Sequence, residues 1–171
     1  YPAMYLPHKN HKYVIDTIKL LNEKNKINIS AVFCGSDKGY LSKIKKYSFD
    51  VGQKSNTYFL DFVEDDYLPY LYKNSIALVM PTFSGPTNIP PWEAFKLEVP
   101  VFYSDIHNIK KVYEEAVFYI DPFNPDSLAN GIIEINENKE KKSKLISNGK
   151  KLLNSVNENV EFGQFLEIFK K

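Results

Sequence analysis

Arginine is absent: all 22 basic residues of this chain are lysine. Any phosphate it holds must be met by lysine, backbone N–H groups or hydroxyls, never by the bidentate fork of a guanidinium. Cysteine is nearly absent too. Cys34 stands alone, which rules out a disulfide within the chain and argues against a thiolate metal cluster. Its setting, AVFCG, reads as a buried thiol in an apolar strand. His8, His11 and His107 do not fall at zinc-ligand spacings. No apolar run nears the roughly 20 residues needed to cross a bilayer. Excess charge is missing as well: 22 basic against 21 acidic residues leave +1. That balance gives no electrostatic case for a nucleic-acid partner.

What is present fits one soluble globular domain. The chain has 171 residues, 43% apolar and 25% charged, which suits a single packed core. Lysine, asparagine, isoleucine, tyrosine and phenylalanine are abundant, as in proteins from AT-rich genomes. Lysines cluster at Lys43, Lys45 and Lys46, and again from Lys139 to Lys151. Such clusters read as solvated helix faces; the alternative is a patch resting on anionic lipid. The opening YPAMYLPHKNHK has neither the basic start nor the apolar centre of a secretory leader.

Short apolar runs alternate with amphipathic stretches. Ile29 to Cys34 and Ile76 to Met80 read as buried strands. Val99 to Tyr103 and Val117 to Ile120 are shorter candidates, and Thr57 to Leu60 a weaker one. Continuous apolar runs without alternation predict strands covered on both faces, as in a parallel sheet. Val14, Ile18 and Leu21 predict a helix over His11–Glu23. Asp65 reads as the cap of a helix carrying Leu68, Leu71 and Tyr72. Pro90 and Pro91 sit where a helix starts, and Pro125 and Asp126 open another with Leu128, Ile132 and Ile135 on one face. Phe162, Phe165, Leu166 and Phe169 are spaced as a last helix. The order predicts an α/β fold, a Rossmann-like doubly wound parallel sheet. Its first strand reads as cut short, with only Tyr1 to Met4 ahead of the loop, as at a boundary within a larger chain.

In such a sheet the ligand lies outside the carboxyl ends of the strands. Three loops there are informative. Pro81 to Pro91 carries Thr82, Ser84, Gly85, Thr87 and Asn88, then enters a helix near Pro90. A helix start offers unpaired N–H groups and a partial positive charge, suited to a diphosphate. Glu93, in that helix's first turn, reads either as a complement to the helix dipole or as a carboxylate accepting from a pair of ribose hydroxyls. Lys9, between the first strand and first helix, is either an ordinary surface lysine or a point charge for phosphate oxygens. Gly35 to Gly39 bears glycine but lacks G-x-G-x-x-G and the G-K-[ST] of a Walker loop. No Ser/His/Asp triad, carboxylate pair or metal cage stands out.

Together these stretches resemble the C-terminal domain of retaining glycosyltransferases with two facing Rossmann-like domains, the GT-B class, family 4 type. The resemblance runs through YPAMYLPHKNH, AVFCGSDKG, YFLDFVEDDYLPYLYKNSIALVMPTF, GPTNIPPWEA, VPVFYSD and YIDPFNPDSLANGI, nearly the whole chain. It implies that Lys9 meets the donor diphosphate and that Glu93, matching the second of two family glutamates, binds the ribose hydroxyls. It places the nucleobase between the Gly35 loop and Asp61 to Val63, with Phe62 and Val63 beside it. The N–H groups of Thr87, Asn88 and Ile89 join Lys9 at the diphosphate, and Ser84 and Gly85 line the sugar end.

The chain also departs from the pattern. The first family glutamate is replaced by Gly85, the loop glycines by Pro86, Thr87 and Asn88, and a family arginine by the region of Ala3 and Met4.

The resemblance implies a hexosyltransferase that moves a sugar from a nucleoside diphosphate sugar, UDP- or GDP-linked, with retention. It needs no metal or organic cofactor, and it suits bacterial surface polysaccharide synthesis in the cytoplasm, at the inner face of the membrane where the acceptor is lipid-linked. Residues 1–171 would be the donor-binding half, inactive without an N-terminal acceptor domain. The alternatives are a non-catalytic nucleotide-sugar-binding module and a sugar-nucleotide epimerase of the same class. A response-regulator or flavodoxin-like domain needs an acidic cluster or a hydroxyl-rich first loop, and neither is present.

Overall fold

The computed structural model describes residues 1–64, 66–84 and 89–157. Every strand pairing among them is parallel. β1 (Ala31–Cys34) lies beside β2 (Thr57–Leu60), with Ala31 opposite Thr57. β4 (Val101–Ser104) lies between β3 (Leu78–Met80) and β5 (Phe118–Ile120), with Val101 opposite Leu78 and Phe102 opposite Phe118. Helices α1 (His11–Glu23), α2 (Leu41–Asp50), α3 (Leu68–Lys73), α4 (Pro90–Lys96), α5 (Ile109–Tyr113), α6 (Pro125–Glu137) and α7 (Lys139–Asn157) fill the intervals. This is the α/β, Rossmann-like doubly wound arrangement that the apolar runs predict. Among the described residues no helix is long and apolar enough to cross a membrane.

The lane ahead of β1 differs from the expected strand. It makes two isolated parallel bridges, Pro2 to Cys34 and Tyr5 to Asp37. Ala3 donates to the Cys34 carbonyl at 2.8 Å, and Cys34 donates to the Tyr1 carbonyl at 3.2 Å. Those groups point at β1, so the backbone groups of Pro2 point away from it. Proline has no N–H to give on that side. The lane is bonded to β1 and cannot donate there on its other edge.

All four positions of β4 are buried. Its side chains alternate between two clusters. Phe102 faces Ile15, Leu21, Phe33, Ile120, Leu128 and Ile132, while Val101 and Tyr103 face Leu78, Met80, Phe95, Ile109 and Tyr113. The period of two sends alternate residues to opposite faces, so both must be roofed by helices. α1 and α6 cover the first face. α1 does so with Val14, Ile15, Ile18 and Leu21, a stripe at helical spacing. α6 starts where Asn124 accepts the Asp126 N–H at 3.1 Å, with Pro125 at its first position. α4 and α5 cover the second face. α7 reaches both, through Leu145 and Leu153. Each large apolar side chain so buried contributes about 1.5–3 kcal/mol relative to exposure.

The lysine clusters behave as solvated helix faces. On α2, Lys43, Lys45 and Lys46 are exposed while Ile44 is buried. On α7, Lys150 pairs with Glu98 at 2.6 Å and Lys141 with Glu134. α3 opens at Tyr67 without a side-chain cap; Asp65, expected to cap it, lies outside the described residues. So do Phe162, Phe165, Leu166 and Phe169.

Gly149 lets α7 lie on α4. A Cβ there would stand 2.5 Å from Cδ1 of Phe95, whose ring is buried. Alanine would gain roughly 1 kcal/mol of helix propensity, but the ring has no open space into which to retreat. Gly149→Ala is expected to lower the melting temperature by about 2–6 °C, reflecting a net loss of roughly 1–2 kcal/mol. Thermal unfolding followed by circular dichroism checks this, and a rise in melting temperature would contradict it.

Candidate functional site

The loops at the carboxyl ends of the strands are tied to one another by backbone bonds. After the first lane the chain makes a 3-10 turn, Pro7–Lys9, and reaches α1 through Asn10 in the left-handed region (φ 56, ψ 41). Asparagine tolerates that region better than most residues. Its side-chain amide donates to the Pro122 carbonyl at 3.0 Å, tying this loop to the one after β5. The loop after β3 is tied to it as well. Phe83 donates its N–H to the His8 carbonyl at 2.9 Å. The fully buried Thr82 hydroxyl sits 2.6 Å from the Ser84 carbonyl and 3.2 Å from that of His8.

Lys9 therefore sits on a braced turn. Its carbonyl accepts the Tyr1 hydroxyl at 2.9 Å. Its side chain is half-buried, and desolvation pulls the ammonium below the ordinary lysine range. A positive charge stripped of part of its water attracts an anion more strongly than a fully solvated one.

Gly35 ends β1 at the point where two neighbours press against it. Its N–H donates to the Asp61 carbonyl at 3.3 Å, and a Cβ would lie 2.3 Å from the Ala3 carbonyl oxygen. Only glycine fits between those backbones. Beyond it, Asp37 accepts the N–H groups of Gly39, Tyr40 and Leu41 at 2.8, 3.0 and 3.1 Å. These bonds hold its carboxyl below the usual range, and Asp37 orders the loop that leads into α2.

Glu93 is half-buried on α4. The Tyr72 hydroxyl, from α3, donates to its Oε2 at 2.7 Å. Burial raises the Cys34 thiol pKa, opposed by the Tyr1 amine and reinforced by the Glu93 carboxylate. Phe62 is 77% exposed and Val63 half-buried on the segment after β2. Ile89 occupies the cap position of α4, its carbonyl accepting from Trp92 at 2.9 Å and Glu93 at 3.3 Å.

The predicted residues thus form linked groups. Lys9 and Ser84 are joined through His8 and Phe83. Glu93 is joined to Tyr72, and Phe62 and Val63 are joined to Gly35 through Asp61. Gly85, Thr87 and Asn88 lie outside the described residues. No group of three His, Cys, Asp or Glu side chains among the described residues could hold a metal ion.

Sequence reasoning passed over Tyr72, Thr82 and His11. Tyr72 read only as one apolar position of a helix, since its partner lies 21 residues away. Thr82 read as one polar loop residue among several. His11 read as the first residue of a helix, yet it is buried with both ring nitrogens unpartnered, packed against the rings of Tyr1, Tyr5 and Phe33 at 5.1–5.4 Å. Desolvation, then the charges at the Tyr1 amine and Lys9, lower its pKa to about 4, opposed in part by the Ala3 backbone. An apolar groove of about 450 Å³ is lined by Val14, Ile18, Ala31, Leu71 and Leu78 and reaches Cys34 and Tyr72.

The family described as glycosyl transferases group 1 matches residues 1–152 of this chain. An uncharacterized glycosyltransferase of Methanocaldococcus jannaschii is 26% identical over 145 residues, covering 84% of this chain and 36% of the relative. The O-antigen chain mannosyltransferase B of Escherichia coli is 25% identical over 137 residues, covering 77% and 36%. The chain thus spans about a third of the length of these relatives. Among solved structures, Anabaena HepE in complex with UDP superposes with a TM-score of 0.80 at 18% identity, covering 98% of this chain and 46% of that one. At that identity the likeness is one of fold, and the fold is that of GT-B glycosyltransferases.

Two outcomes follow from this geometry. Gly35→Ala forces a methyl into the Ala3 backbone and is expected to cost about 3 kcal/mol in denaturant unfolding; unchanged stability would show that the first lane is not held there. For His11, the folded pKa of about 4 lies below the ordinary 6.5, so the unfolded chain binds the proton more readily. Its contribution is complete above pH 6.5 and is lost as pH falls toward 4, roughly 3 kcal/mol in all. His11→Phe keeps a ring in the same packing. It should flatten that acid loss in unfolding curves taken between pH 7.5 and 4; an equally steep loss would place the titration elsewhere.

Proposed function

This chain belongs to the glycosyl transferases group 1 family, and on that premise we propose that it is the nucleotide-sugar-binding half of a sugar transferase. The observation that carries the reading is that Lys9, Gly35 and Ser84 stand on bonded loops at the carboxyl ends of parallel strands, with Glu93 in the first turn of α4, the helix after β3. In such sheets ligands bind at that edge. The donor's diphosphate lies against Lys9 and the N–H groups of Thr87, Asn88 and Ile89. Its ribose hydroxyls donate to Glu93. Its base lies between the Gly35 loop and Phe62–Val63, and its sugar lies toward Ser84 and Gly85. The UDP complex of Anabaena HepE, which shares the fold, supports a nucleoside diphosphate as the ligand.

The reaction is transfer of a hexosyl group to an acceptor with retention at the anomeric carbon. As the glycosidic bond to the diphosphate breaks, negative charge grows on the leaving oxygen. Lys9, already placed and partly desolvated, stabilises that charge without rearranging. No metal or organic cofactor enters this scheme. The acceptor binds a second domain of the kind that fills the remaining length of the relatives. The likeness to an O-antigen mannosyltransferase supports a place in bacterial surface polysaccharide synthesis, on the cytoplasmic side of the membrane.

A non-catalytic nucleotide-sugar-binding module is the second reading, and Gly85 favours it, standing where the family resemblance expects a glutamate. Assaying the chain joined to its acceptor domain separates the two: sugar transfer excludes the binding module. The isolated 171 residues are expected to turn nothing over, and measurable transfer by them would refute the two-domain requirement.

Calorimetric titration with UDP, GDP and ADP tests the binding reading directly. At least one is expected to bind. Lys9→Ala removes a charge-assisted contact and should weaken binding by about ten-fold or more; Glu93→Ala should weaken it by a similar order. Absence of binding to all three would overturn the reading, and undiminished binding by both variants would remove the residue assignments.

A further inference from the structure

The hydrogen bond between α3 and α4 reaches beyond packing. Tyr72 is 4% exposed, with its ring in the cluster of Leu78, Met80, Ala94, Phe95 and Val101. Its hydroxyl donates to Oε2 of Glu93 at 2.7 Å and lies 3.4 Å from the Pro90 carbonyl. The shorter, charge-assisted contact takes the single proton. Glutamate has three side-chain torsions and in water would sample many rotamers. Here one oxygen is pinned to a donor whose own position is set by the core. Burial, and then Glu93 itself, push the phenol above its ordinary pKa, so it remains a donor through the neutral range.

We propose that Tyr72 is the positioning residue for ribose recognition: its hydroxyl holds the Glu93 carboxylate in the orientation that accepts the sugar hydroxyls of a nucleotide. The proposal rests on the reading of Glu93 as the ribose ligand. A carboxylate has about four lone-pair positions, and Tyr72 engages one of them. Accepting two neighbouring hydroxyls requires the carboxylate plane to be fixed, because a bidentate contact fails when the plane turns. Tyr72 supplies that fixity from outside the ligand's reach. Its loss should therefore erode discrimination for the ribose hydroxyls, and leave contacts to the base and diphosphate as they were.

The test uses this chain and the tightest binder among UDP, GDP and ADP, alongside the 2′,3′-dideoxy form of the same nucleotide. The quantity read is the ratio of the two dissociation constants. The unaltered chain is expected to prefer the ribose form by about ten-fold or more. Glu93→Ala should bring the ratio close to one. Tyr72→Phe, which deletes only the hydroxyl, should cut the ratio at least three-fold while the affinity for the dideoxy nucleotide stays the same. Glu93→Asp, which draws the carboxylate back from Tyr72, should do likewise without touching the core. In the double variant Tyr72→Phe/Glu93→Ala the ratio should equal that of Glu93→Ala alone, since both act through one contact.

A merely structural Tyr72 would weaken both nucleotides together or lower the melting temperature with the ratio unchanged, and either result overturns the proposal. So does a ratio in the double variant lower than in Glu93→Ala alone. If the unaltered chain binds both nucleotides equally, the ribose reading of Glu93 falls and takes the proposal with it. That outcome is distinct from a preserved preference that ignores Tyr72.

Discussion

Val101–Ser104 is buried at every position, and none of its faces or edges is left to water. Its backbone groups need partners on both sides, which β3 and β5 provide in parallel register. Its side chains need cover above and below, and the two apolar clusters supply it. Parallel neighbours must be joined by crossovers, and the crossovers here are helices. Consequently the loops that leave the strands collect along one edge. Lys9 and Gly35 stand just after the first lane and β1, and Glu93 stands in the first turn of the helix that follows β3.

This dependence explains what the sequence disclosed. The runs Ile76 to Met80 and Val99 to Tyr103 each mark a strand, Leu78–Met80 and Val101–Ser104, shorter than read: Ile76 is exposed ahead of β3, and Val99 and Pro100 precede β4. Pro90 and Pro91 marked the start of α4 because proline is suited only to the first turn of a helix. Lys9 and Glu93 stood out as candidates because strand ends and family resemblance pointed to the same places. Tyr72 was not legible. A tyrosine on an amphipathic helix reads as core, and only folding shows that its hydroxyl emerges beneath a carboxylate. His11 was hidden because the pattern gave it only as the first residue of a helix, whereas three aromatic rings enclose it. The first lane read as a truncated strand, and it bonds β1 in parallel through two isolated bridges.

Gly35 shows how closely local chemistry and site geometry are coupled. The first lane must approach β1 closely enough to bond Cys34 and Ser36, and this leaves no room for a side chain between Ala3 and Asp61. That approach brings the 3-10 turn of Lys9 to the sheet's ligand edge. The turn is then fixed by the His8 carbonyl, which accepts from the loop after β3. A change at either contact would move the lysine relative to Glu93 even though neither contact touches a ligand.

The absence of arginine shapes the electrostatics of the proposed donor complex. A diphosphate carries more negative charge than one lysine balances, and no second fixed guanidinium is at hand. The remaining attraction must come from neutral dipoles, the N–H groups where the chain enters α4. Such groups need no costly desolvation of an ion, and they do not rearrange when charge moves to the leaving oxygen. Lys9 compensates for standing alone by being half-buried: partial loss of water lowers its own stability as a cation and raises its attraction for an anion by the same physics. Gly85 leaves the sugar without a charged acceptor where the family resemblance expects a glutamate. On the proposed reading, recognition therefore weighs more on the nucleotide, where a core tyrosine holds Glu93, than on the sugar.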